Sequence, residues 1–312
     1  MINYSYSRTQ SSLLAVAALL IISVLAVVIT QKPDQVVPTN PAAEITVAAT
    51  IFPIADIARS VGGETVEVMQ LLPSGASPHT YALTPQQLVA LQDVKVVFAV
   101  GHGLDEWGTR AAASTDVPVQ VVDEGITLRP FGAAGETHGT LDPHYWLTIP
   151  NGQQIARTIA ARLQGLDPNN SALYAANLDR YLRNLNQVEG ELQAAATAAA
   201  TTKFVAIHDA WGYMAEHYGL ELLATYEPVE GRTPSLTDLV ALQKIVAENN
   251  VTTFFTEPQK RSSSATRFLA DELGLTIDIL DPLGGSDEYS SYEALIRNNI
   301  NAIVKPADLN TI

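Results

Sequence analysis

The 312-residue chain is 47% hydrophobic, carries 18 basic against 33 acidic residues for a net charge of −15, and contains no cysteine. That length and apolar content suffice for two domains with cores of their own, and the acid excess argues against nucleic acid while remaining compatible with a cationic ligand. Without cysteine, disulfides, thiolate metal sites, a Cys nucleophile and lipid attachment at an N-terminal Cys are excluded, so any metal must be held by His, Asp, Glu or water.

Taken in chain order, Leu13 to Ile29 is an uncharged apolar run preceded by Arg8. It reads as a targeting segment within residues 1–30, and both a cleaved signal and an uncleaved membrane anchor fit it. Residues 31–43 contain Pro33, Pro38 and Pro41 and read as an extended tether. The remainder is therefore expected outside the cytoplasmic membrane, anchored or released.

Residues 44–168 read as a first α/β lobe. Strands are predicted at 45–49, 65–71, 95–100 and 117–122. Helices are predicted at 53–61, 84–91, from Leu104, and at about 151–164. Such alternation implies a mostly parallel sheet. Residues 169–200 read as one long helix: Tyr174, Leu178, Tyr181, Leu185, Val188 and Leu192 recur at spacings of four and three, a continuous apolar stripe. Asn169, Asn170 or Ser171 is the expected cap, and at 1.5 Å per residue the rod would reach roughly 45 Å. Residues 201–312 read as a second α/β lobe. Its strands are expected at 204–207, 220–225, 251–256 and 275–280, and its helices at 209–218, 234–246, 263–273 and 292–304. The fold class is thus α/β, two parallel-sheet βα lobes joined by a long linker helix.

The polar residues fall in a suggestive order. His79 lies in a loop after a strand and His144 in a loop before a helix, while His208, Glu257 and Asp281 lie at carboxyl ends of strands. In open α/β sheets ligands bind outside those ends. Three imidazoles and one carboxylate make a complete tetrahedral set for Zn²⁺, whereas an all-oxygen site would suit Mg²⁺, Ca²⁺ or Mn²⁺. Each residue also has a plain structural reading: a loop His as a local hydrogen-bonding group, Asp281 as the cap of its own loop. His217 is expected to meet carbonyls at its helix C-terminus, His102 to be structural and His138 to be solvent-exposed. H-E-x-x-H, G-x-S-x-G and the Walker phosphate loop are all missing from the sequence.

The stretches ATIFPIADIARSVGG, LLPSGASPHTYALTPQQLVAL, LDPHYWL, AIHDAWGYMAEHYGL and PSLTDLVALQKIVAENNVTTFFTEPQ through LDPLGG carry a resemblance. From about Glu44 to the last helix the chain resembles the zinc/manganese-type solute-binding proteins of ABC importers, the cluster A-I family. The resemblance implies two βα lobes on a rigid linker helix, with little hinge motion and the metal held between them. It places His79, His144, His208 and Asp281 on the four ligand positions. It implies capture of Zn²⁺, with Mn²⁺ the lesser alternative because His208 stands where manganese-favouring members tend to have Glu. It also implies delivery to an ABC permease driven by a separate ATPase subunit, without catalysis. The loop before His144 is short and has only His138, so extra metal capture there is not expected. Asp142 and Glu257 are candidates to hydrogen-bond ligand imidazoles. One rival stays open on the residues, a zinc-dependent hydrolase with Glu257 as its base; the resemblance also allows an adhesin, which nothing in the sequence supports specifically.

Overall fold

The structure, a computed structural model, describes residues 43–130, 141–199, 202–227 and 236–304. The apolar N-terminal run, most of the tether, His138 and the expected helix start at Pro234 lie outside the described residues. Among the described residues no helix is long and apolar enough to cross a membrane.

The strands are β1 (Ile45–Ala49), β2 (Val66–Gln70), β3 (Val97–Ala99), β4 (Val119–Val121), β5 (Lys203–His208), β6 (Glu221–Glu227), β7 (Thr253–Thr256) and β8 (Thr276–Ile279). The α-helices are α1 (Phe52–Gly62), α2 (Pro85–Ala90), α3 (Glu106–Ser114), α4 (Ile149–Leu166), α5 (Ser171–Ala198), α6 (Gly212–Tyr218), α7 (Leu236–Asn249), α8 (Ser264–Leu273) and α9 (Tyr292–Val304). Two four-stranded sheets form, ordered β2-β1-β3-β4 and β6-β5-β7-β8, and every pairing is parallel. Each lobe therefore repeats one arrangement, with its first strand central and the crossover reversing beside it. That reversal is where the carboxyl ends of an open sheet leave a crevice.

Both faces of each sheet are covered, as parallel sheets require. The outer face of the first packs Ala48, Met69, Leu71 and Val97 against residues of α2 and α3. The outer face of the second packs Val205, Ile207 and Phe254 against Leu242, Val246 and Leu269 of α7 and α8. The inner faces share one core. It runs from Val47 and Phe98 through Trp146 and Tyr181 to Phe204, Met214 and Ile303. A single apolar core reaching across both lobes opposes hinge bending, because opening it would expose that surface to water.

Helix α5 spans 28 residues, about 42 Å. It packs on α1 and α4 of the first lobe and on α6 and α9. Five of the six predicted stripe residues are buried, Leu178 is half-buried, and Asn177 and Ala196 complete the buried face. The expected side-chain cap does not form. Asn170 occupies the cap position, but its amide donates to Asp167 (2.7 Å) and Glu44 (3.1 Å), because a short 3₁₀ turn at Pro168–Asn170 leads the chain straight from α4 into α5. Helix α6 begins at Gly212 rather than Asp209, since Ala210 and Trp211 leave the strand end by turning into the core. Helix α9 matches its predicted bounds, yet it packs back onto α5 and α1. Its first residue donates a backbone N–H to Asp56 of α1 (2.8 Å).

Candidate metal centre

His79 follows β2 in a turn-rich loop whose neighbour Pro78 accepts a hydrogen bond from Trp107 Nε1 (2.8 Å). His144 precedes the short 3₁₀ turn Tyr145–Leu147 that feeds α4. His208 is the last residue of β5, the central strand of the second sheet. Their imidazole nitrogens converge, one ligating atom from each lying within 4.8 Å of the other two. His144 and His208 are 3% and 2% exposed, and His79 is half-buried. The rings meet edge to face, His79 to His208 at 5.6 Å and His144 to His208 at 5.3 Å between centroids. Tetrahedral zinc with nitrogen donors at about 2.0–2.1 Å sets those donors about 3.4 Å apart, within small ring adjustments of this cluster.

Hydrogen bonding orients one of these rings. Asp142 Oδ1 accepts from both the backbone N–H (3.0 Å) and the Nδ1 of His144 (2.9 Å). A carboxylate at Nδ1 fixes the hydrogen there and leaves Nε2 with its lone pair, the arrangement a metal ligand needs.

Asp281 is not part of the mutual cluster. Its Oδ1 accepts the backbone N–H groups of Leu283 and Gly284, both at 2.9 Å, so the loop-capping reading is realised. Its own N–H is held by Asn299 Oδ1 (2.8 Å). The other carboxylate oxygen makes no hydrogen bond among the described residues. Burial pushes the Asp281 carboxyl above the usual carboxylate range, partly offset by the Gly284 and Leu283 N–H groups. A cation beside it would supply the charge partner that desolvation demands. The residues after it, Pro282 and Leu283, line the same cavity as the three histidines, and Trp146 Nε1 ties the Pro282 carbonyl to the first lobe at 2.8 Å.

That cavity is small, about 10 Å³, room for an ion or one water and not for an organic substrate. Glu257 also lines it and is 3% exposed. Its Oε2 accepts from Gln259 Nε2 at 2.7 Å and lies 3.8 Å from Lys260 Nζ.

The remaining histidines divide as follows. His102 takes a structural place, its Nε2 2.8 Å from Asp123 Oδ2 and its backbone at φ +53°. His217 departs from expectation. Instead of meeting its own helix carbonyls, its Nε2 sits 2.7 Å from Glu189 Oε1, because α6 packs against α5 at that point. Tyr218 Oη donates to the other Glu189 oxygen (2.8 Å). Burial raises the Glu189 carboxyl, but the hydrogen bonds from His217, Gln193 and Tyr218 outweigh it and hold the group below the usual range. Asp142 was legible from the D-P-H spacing. Arg129, which reaches Asp142 at 3.4 Å, was not, because its seat lies on a helix far along the chain.

Comparison with known proteins identifies the family. The ZnuA family, described as zinc-uptake complex component A, periplasmic, matches residues 47–306. The high-affinity zinc uptake system protein ZnuA of Paracoccus denitrificans is 31% identical over 251 residues, covering 69% of this chain and 77% of its own. The manganese-binding lipoprotein MntA of Halalkalibacterium halodurans is 26% identical over 260 residues, covering 80% and 84%. A crystal structure of a ZnuA deletion mutant with zinc bound superposes with a TM-score of 0.74 at 31% identity, covering 84% of this chain and 99% of that one. With a match across most of its length and the two-lobe fold in common, the chain belongs to the ZnuA family.

Proposed function

We propose that this protein captures Zn²⁺ outside the cytoplasmic membrane and hands it to an ABC importer made of a permease and a separate ATPase subunit. The observation that carries the reading is the convergence of three imidazoles, two from the first lobe and one from the second, on a cavity of ion size. His79, His144 and His208 would hold the ion through nitrogen, and Asp281 would complete the set with the oxygen not engaged by its own loop. One carboxylate against two positive charges leaves a net positive centre, which the chain's acid excess offsets at long range. Ligands drawn from both lobes make metal binding a cross-link, so a loaded protein would be stiffer and more heat-stable than an empty one.

Neutral imidazoles favour zinc, while added carboxylate shifts a site toward manganese. MntA among the relatives fits a family able to move between the two. The reading concerns binding and delivery. The cavity has no room for a substrate beside the ion, and the Glu257 carboxylate is engaged by Gln259. The N-terminal apolar run would keep the protein at the membrane if uncleaved.

Competitive titration with Zn²⁺ and Mn²⁺ tests the reading. The unaltered protein should bind one zinc and prefer it strongly. His208→Glu should narrow that preference by about tenfold or more, since it replaces a borderline ligand with a hard one. Stoichiometric manganese binding in preference to zinc, or a preference indifferent to His208→Glu, would refute the assignment.

A further inference from the structure

Arg129 is a first-lobe residue whose side chain rests on the second lobe. Its guanidinium lies against Gly212, the first residue of α6. A Cβ at Gly212 would come within 1.2 Å of Arg129 Nη1 and 2.4 Å of Cζ. Gly212 has no positive φ, so its backbone does not demand glycine and the missing side chain serves as a notch for the cation. Tyr213 supplies the rest of the seat. Its ring lies 5.6 Å from Arg129 Cζ, its hydroxyl accepts the Arg129 backbone N–H (2.9 Å), and the same hydroxyl donates to the Asp142 carbonyl (3.0 Å). Asp142 in turn gives its backbone N–H to the Arg129 carbonyl (2.9 Å). Asp142 is thus clamped at N–H, carbonyl and carboxylate. Its Oδ2 faces Arg129 Nη1 at 3.4 Å while Oδ1 holds the His144 N–H and Nδ1.

We propose that Arg129, seated in the Gly212 notch, is a positioning residue for metal capture. It turns the Asp142 carboxylate so that Oδ1 faces His144 and His144 presents Nε2 to the ion. The inference rests on the zinc-capture reading and adds a link between the lobes. Helix α6 starts four residues after His208, so the segment that carries the second-lobe imidazole also supports the group that orients a first-lobe imidazole. Two outer charges flank this relay: Asp209, which lines the same cleft as Arg129 and Asp142, and Glu216, 3.7 Å from Arg129 Nε and largely exposed, a weak partner beside buried Asp142.

The test uses the whole protein and three variants: Arg129→Gln, Gly212→Ala and the double variant. Two quantities are read for each, zinc affinity by chelator competition and the His144 tautomer of the metal-free protein by long-range ¹H–¹⁵N correlation. Melting of the metal-free protein controls for folding. Each single variant should weaken zinc about tenfold, the low end of the 10–100-fold losses that follow removal of outer ligand-orienting groups. The double variant should be no weaker than Arg129→Gln, because both changes break one relay. His144 should shift from the Nδ1–H form toward the Nε2–H form in all three. Wild-type zinc affinity in Gly212→Ala and Arg129→Gln would overturn the inference. So would a zinc loss that merely tracks lowered melting while His144 keeps its Nδ1–H. If the unaltered protein bound no zinc, the capture reading would fall, and the tautomer comparison would still decide whether Arg129 orients His144.

Discussion

His208→Ala is expected to weaken zinc binding by more than about 100-fold, beyond the range that removing an outer ligand-orienting group produces. The ring removed is the second lobe's share of the imidazole cluster, so the loss has two sources. One donor of the tetrahedral set disappears, and the ion no longer bridges the lobes. Metal-free stability should change much less, because His208 ends its strand at the cavity rather than in the apolar core. Acid should act in the same direction. A ligating imidazole must be deprotonated, and an ordinary imidazole titrates near pH 6.5, so proton and metal compete for the same nitrogens. With three such ligands, zinc affinity should fall at least ~100-fold between pH 7 and pH 5, more steeply than one titrating group allows. Affinity flat across that range, or unchanged in His208→Ala, would contradict a histidine-rich site.

The second large effect concerns two glycines in helices that look alike in sequence and behave oppositely in structure. Gly152 in α4 faces Tyr292 of α9. A Cβ there would lie 2.2 Å from the tyrosine hydroxyl and 2.4 Å from two ring carbons. Tyr292 is fully buried, with its hydroxyl 2.7 Å from the carbonyls of both Trp146 and Thr148. The ring has nowhere to go, so Gly152→Ala should destabilise by about 1–3 kcal/mol through overpacking. A further ~1 kcal/mol or more follows if the hydroxyl is levered off its carbonyls. Gly190 in α5 has nothing within 4 Å of a Cβ. Gly190→Ala should therefore stabilise by roughly 0.5–1 kcal/mol, from lower backbone entropy in the unfolded chain and better helix propensity. Paired denaturation curves check both signs. A Gly152→Ala variant as stable as the unaltered protein would mean that the α4–α9 contact is not as close as described; a destabilised Gly190→Ala would contradict the open surroundings of Gly190.

Which features could be read in advance follows from the range of the forces involved. Tyr292–Val304 was bounded correctly at both ends because its periodicity is local. The long helix was legible from its stripe, except that Asn177 proved as buried as its apolar neighbours. Its amide donates to the Val61 carbonyl across the packing with α1 (3.0 Å), a partner no periodicity discloses. His79, His144 and His208 could be grouped because His208 ends a strand and the other two lie in loops expected to face the same cleft. Asp281 could not be resolved that way. The same position serves as a loop cap and as a cavity-edge carboxylate, and the chain gives both readings one spelling. His217 was misplaced because Glu189 lies on a helix 28 residues earlier, and Arg129 was passed over because its notch is a glycine on the other lobe.

In the proposed site zinc is held by three imidazoles with one carboxylate oxygen closing it. Zinc-edge X-ray absorption on the zinc-loaded protein tests it most directly. The expected result is one zinc per chain, four light donors at about 2.0–2.1 Å, and the outer-sphere scattering of three imidazoles, reduced to two in His208→Ala. A six-coordinate oxygen shell, or an imidazole count unmoved by His208→Ala, would contradict it.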